Sequence, residues 1–214
     1  MLKIGITGNI GSGKTTVCRI FEHLGIAVYY SDAKAKQFYQ DAAVKQQIKT
    51  LFGENVFDTE QNIDTKKLAT IVFQNETELQ KLNNLIHPLV INDFQNWCEQ
   101  RKNQPFILFE SAIIYQCGLA ELFDKLIFID APTEMLLQRS AARDNIDSET
   151  IKQRLTNQQN QQNHPPPADF IIHNDEKHSL IQEVIRIHTQ LILPYATDCK
   201  KMSLASCLHS DFHN

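Results

Sequence analysis

The stretch Gly8-Asn9-Ile10-Gly11-Ser12-Gly13-Lys14-Thr15 constrains the fold more than any other, because it satisfies G-x-x-x-x-G-K-[ST] in full. Glycines let the backbone turn so that successive N–H groups point inward at phosphate oxygens. Lys14 has the reach for the β- and γ-phosphates, and the Thr15 hydroxyl can ligate Mg²⁺. A helix that starts here aims its positive end at the same anion. Average residue usage makes the pattern a chance event in about one chain in a hundred of this length. Its surroundings lower that further. Residues 2–7, LKIGIT, read as a buried strand feeding the loop. Val17, Ile20, Phe21 and Leu24 form a helical stripe over 15–24 that Gly25 stops. IAVYY at 26–30 reads as a second strand, completing a βαβ unit with a right-handed crossover. Gly8, Gly11, Ser12, Gly13, Lys14, Thr15 and Thr16 are therefore candidate nucleotide-binding residues.

Further strands are expected at FILFE (106–110), KLIFID (125–130) and FIIH (170–173). Five short strands separated by helices predict a parallel sheet in an α/β fold of the P-loop NTPase, nucleoside-monophosphate-kinase-like kind. Residues 32–101 are mostly helical in pattern. Ser31 or Asp32 is placed to cap a helix running to about Gln40, and Asp64 to cap another. A long helix is expected from Thr77 to Arg101, bent or broken by Pro88. Helices are also expected over 133–143, from about Ser148, and over 179–193. The polar run NQQNQQNHPPP (157–167) cannot be core and reads as a connection or moving flap. The last twenty residues have weak periodicity and read as a loose tail.

Composition narrows the function. A net charge of -4 and a pI of about 6.0 argue against a duplex nucleic-acid binder. No apolar run is long enough for a membrane span, and the N-terminus lacks a signal-peptide pattern. The five cysteines are scattered, without C-x-x-C spacing, and suit a reducing cytoplasm better than a disulfide framework. The guanine-reading N/T-K-x-D and the D-x-x-G switch of GTPases are both absent. A short chain with a helical insert after strand two points to a small-molecule kinase, whose acceptor sits over the carboxyl ends of the strands.

Asp32, just past the second strand, is a candidate general base or a helix cap. Glu110 ends the third strand and is a candidate for holding a Mg²⁺-bound water, touching substrate, or simply capping or pairing at the sheet edge. Arg139 and Arg143, four apart on one helix, can brace a transferring phosphoryl group or stack on a base, or form a surface pair. Arg154 follows on the next helix. His87, beside Pro88, is either a satisfied structural residue or a side chain presented to substrate.

These pieces in this order resemble the dephospho-coenzyme A kinase family over about residues 2–193. The resemblance rests on ITGNIGSGKTT, LGIAVYYSDAKAK, NNLIHPLV (83–90), FILFESAIIYQCGL (106–119), DKLIFIDAP (124–132), QRSAARD (138–144) and ADFIIHND (168–175). It implies transfer of the ATP γ-phosphoryl group to the ribose 3′-hydroxyl of dephospho-coenzyme A, with Mg²⁺, in the cytoplasm. It calls for no obligate protein partner, nucleic acid or membrane. It implies a nucleotide-binding core (1–31, 102–138, 168–194), a helical substrate domain (32–101), a lid (139–167) and a tail (195–214). By position, Asp32 matches the family's catalytic base, His87 and Lys36 its substrate side, Arg139 and Arg143 its lid arginines, and Asn174 a residue near adenine. Three departures stand out. Tyr30-Ser31-Asp32 replaces a frequent D-A-D, Lys36 replaces the usual Arg, and His164 stands at about the position of a lid Lys. Another small-metabolite or nucleotide kinase is the alternative enzyme, and a nucleotide-binding regulator without transfer activity the alternative class.

Overall fold

The structure, a computed structural model, describes residues 1–144 and 167–193. Most of the expected lid, the helix from Ser148, Arg154, His164 and the tail lie outside the described residues. The chain divides into two compact units, Met1–Tyr29 with Lys102–Asn214, and Tyr30–Arg101.

The first unit is built on a five-stranded parallel sheet of order β2-β3-β1-β4-β5. Its strands are β1 (Leu2–Gly8), β2 (Val28–Tyr30), β3 (Phe106–Glu110), β4 (Lys125–Asp130) and β5 (Phe170–His173). The last three coincide with the expected runs. β2 is two residues shorter than IAVYY: the Ala27 carbonyl still accepts from Leu108 of β3, but the N–H groups of both residues go to other partners. The Ile26 N–H donates to the Phe21 carbonyl, closing the preceding helix, and the Ala27 N–H donates to Gln104 Oε1 at 3.1 Å. In register, Leu2 faces Phe106 and Ile6 faces Glu110, while Ile4 faces Lys125 and Gly8 faces Ile129. Central strands bury both faces, so they read as unbroken apolar runs. Ile4, Ile6, Ile107, Leu108, Phe109, Ile127, Phe128 and Ile129 are each 1% exposed or less. Each such side chain contributes about 1.5–3 kcal/mol by burial.

Helix α1 (Lys14–His23) follows the loop and turns Val17, Cys18 and Phe21 inward, with the Phe21 ring edge-on to Phe106 at 6.2 Å. Helix α6 (Thr133–Asp144) follows β4, and a helix over 180–193, α7, buries Val184, Ile187 and Leu191 at helical spacing. Because β1 lies between β3 and β4, the loop leaves the sheet where the strand order reverses, at the carboxyl edge where such sheets bind ligands.

The second unit holds α2 (Ser31–Phe38), α3 (Ala42–Phe52), α4 (Thr65–Gln74) and α5 (Glu76–Glu99). The last three have side-chain caps, Asp41, Asp64 and Asn75, each accepting two backbone N–H bonds. α5 buries Leu82, Ile86, Val90, Phe94 and Cys98, every fourth residue, and packs against α2, α3 and α4. It runs through Pro88 without the break that proline suggested. The carbonyl that Pro88 leaves unbonded belongs to Asn84, which is exposed, so solvent can satisfy it.

Candidate active site

Lys14 opens α1 yet is 9% exposed, and its Nζ donates to the Gly8 carbonyl at 2.8 Å and the Asn9 carbonyl at 3.1 Å. The ammonium group is thus folded across the loop that it closes. The backbone here is open only to glycine. Gly11 has φ +80, and a Cβ on it would lie 2.6 Å from Ser140 Oγ and 2.7 Å from the Leu136 carbonyl, both on α6. Gly13 has φ +93, and a Cβ there would lie 2.3 Å from Asn174 Nδ2. The loop is pressed between α6 and the chain that follows β5. The Ser12 N–H donates back to Asn9 at 3.1 Å, and Ser12 Oγ is buried with no hydrogen-bond partner. Thr15 and Thr16 are exposed on the first turn of α1, hydroxyls at the positive end of a helix.

Glu110 is 7% exposed at the carboxyl end of β3. β3 is an inner strand, so Glu110 sits at the carboxyl edge of the sheet beside β1. Burial holds the Cys18 thiol well above its usual range, and the Glu110 carboxylate pushes the same way. Glu110 and Lys14 therefore both act on the inner face of α1, with opposite charge.

On α6, Arg139 Nη1 donates to the Asn174 carbonyl and Nη2 to Glu176, each at 3.3 Å. Asn174, 9% exposed, donates from Nδ2 to the Ser12 carbonyl at 2.8 Å and from its backbone N–H to Asp130 at 2.8 Å. Arg143 lies on α6 as well.

Asp32, Lys36 and His87 all belong to the helical unit. Asp32 is no helix cap. The cap of α2 is Tyr30, which offers no side-chain bond, and Asp32 is exposed in the first turn, favoured there by the helix dipole. Lys36 is exposed one turn on, so the two share a face of α2. Asp32 also raises the pKa of Tyr39, after the larger effect of burial. His87 is partly buried on α5, next to the core stripe, and burial lowers its pKa.

Sequence reasoning left unassigned a cavity of about 360 Å³ lined by Asn9, Asp130, Pro132, Thr133, His173 and Asp175. Its signal was readable, since Asp130 and His173 end β4 and β5 beside the loop and are directly paired in register.

A buried lysine folded over a glycine loop, at the switch point of a parallel sheet, defines a nucleotide-binding phosphate-loop kinase. The family model for dephospho-CoA kinases matches residues 2–179, and the chain belongs to that family. The dephospho-CoA kinase of Bacteroides fragilis is 34% identical over 187 residues, spanning 87% of this chain and 91% of its own. A crystal structure from Thermus thermophilus superposes with a TM-score of 0.76 at 26% identity, covering 89% of this chain and 96% of that one. The dephospho-CoA kinase of Campylobacter jejuni superposes with a TM-score of 0.55, also at 26% identity, covering 88% and 96%. No helix among the described residues is long and apolar enough to cross a membrane.

Proposed function

We propose that the chain transfers the γ-phosphoryl group of ATP to the ribose 3′-hydroxyl of dephospho-coenzyme A, giving coenzyme A and ADP. The observation that carries this is the match to one kinase family across both units, through the loop and through the helices that hold Asp32 and His87. Asp32 accepts the hydroxyl proton as the oxygen attacks the γ-phosphorus, and the bond to the ADP oxygen breaks. Lys14 exchanges its two carbonyl partners for β- and γ-phosphate oxygens, and the loop N–H groups take the remaining charge. His87 and Lys36 hold the acceptor, and Arg139 and Arg143 steady the transferring group and the nucleotide. Glu110 serves substrate or metal from the buried end of β3.

Mg²⁺ fits the donors at this site. The exposed Thr15 hydroxyl is an oxygen ligand of the kind Mg²⁺ takes alongside nucleotide phosphates and water. Bound there, it would neutralise charge on the β- and γ-oxygens. The core, substrate domain and lid have the bounds given by the family resemblance, and a reducing cytoplasm suits Cys18, Cys98 and Cys117, none of which is in a disulfide.

The test is purified protein with Mg·ATP and dephospho-coenzyme A, AMP or shikimate as competing acceptors. ADP and coenzyme A are expected with the first and no turnover with the others. Turnover confined to AMP or shikimate would establish a different small-molecule kinase.

A further inference from the structure

We propose that Asn174 is a positioning residue for the phosphate loop, acting on the Ser12–Gly13 peptide and not on the nucleotide base. This rests on the loop holding nucleotide phosphates, as proposed above.

β5 ends at His173, level with Asp130 of β4. The next N–H, that of Asn174, donates to the Asp130 carbonyl at 2.8 Å and so extends the pairing by one residue. That bond fixes the backbone from which the side chain reaches Ser12, 162 residues away in sequence. A carbonyl oxygen can only accept, so the amide must present its nitrogen to it. The carbonyl and N–H of a trans peptide point in opposite directions. Holding the Ser12 carbonyl on Asn174 therefore turns the Gly13 N–H the other way, as a donor for phosphate oxygens. Asn174 also fills the space in front of Gly13, where a Cβ would meet its Nδ2 at 2.3 Å. Its remaining backbone group, the carbonyl, is held by Arg139 at 3.3 Å. Backbone N–H, backbone carbonyl and side-chain nitrogen are thus each committed to the protein: to β4, to α6 and to the loop. Its Nδ2, the donor that a bidentate reader of adenine turns to N7, is the atom that holds Ser12 instead.

The experiment compares ATP with ITP, which differ at the base edge and share the triphosphate. Affinities are measured by calorimetry with Mg²⁺ and no acceptor, for the wild type, Asn174→Asp and Asn174→Ala. The Asp variant keeps the shape and sets an acceptor against an acceptor. Both variants are expected to lose about tenfold in affinity, equally for ATP and ITP. A loss confined to ATP would make Asn174 a base reader and overturn the proposal, as would no loss at all. A merely destabilising change lowers the melting temperature without moving the affinity of the folded fraction. If the alanine variant fails to fold, the isosteric Asp variant decides by the same ratio. Because no acceptor is present, a wrong acceptor assignment leaves this result untouched. Wild-type protein that binds neither nucleotide would overturn the loop reading itself.

Discussion

Lys14 is buried and held by two loop carbonyls, whereas Asp32 stands exposed on the first turn of a short helix. The same contrast runs through both units. Around the loop, recognition rests on backbone, with glycines that admit no Cβ and a peptide anchored from the far end of the chain. In the helical unit the candidates are side chains outside the core stripe, Asp32 and Lys36 exposed and His87 half-buried beside it. On the roles proposed above, the donor site would be preformed by the fold, while the acceptor residues are side chains of the helical unit.

Removing a residue from each side separates the two. Lys14→Ala should produce the largest effect, a loss of about a thousandfold in turnover with weakened ATP binding, measured by steady-state kinetics and calorimetry. Normal ATP kinetics in that variant would break the comparison at its donor side. Asp32→Asn should slow turnover about a hundredfold and leave ATP affinity as it was. If ATP affinity fell with it, the acceptor unit would also be part of the donor site.

The smallest effect concerns His87. Burial holds its imidazole below the ordinary value of 6.5. Above that value both folded and unfolded chains carry it neutral, and pH has no leverage through it. Below it the unfolded chain takes up a proton that the folded chain resists, so stability falls until the lowered folded value is passed. Urea melts from neutral to mildly acidic pH should show a shallower acid loss in His87→Gln than in the wild type, by less than one proton in slope. Equal slopes would place His87 with the exposed residues of the helical unit.

What the sequence revealed follows the same division. Strands β3 and β4 were legible to the residue because inner parallel strands are largely apolar, the edge strand β5 because FIIH is a short apolar run set between polar residues, and the loop because its glycines have few other uses. Helix α3 was not singled out, although Asp41 and the stripe of Val44 and Ile48 mark it. Asp32 read equally as a general base or a cap, and only the backbone shows that the helix starts two residues before such a cap would allow, after Tyr30. The bond from Asn174 to Ser12 had no sequence signal at all. It depends on the register of β5 beside β4, which brings together residues from opposite ends of the chain.

The stripe at 82, 86, 90, 94 and 98 commits one side of α5 to the core and leaves residue 87 off it. His87 itself is half-buried beside that stripe, so a change there meets packing at the edge of the core and not at its centre. On the roles proposed above, a lineage or an engineer could vary the acceptor contact at residue 87 while leaving the phosphate loop of the other unit unchanged.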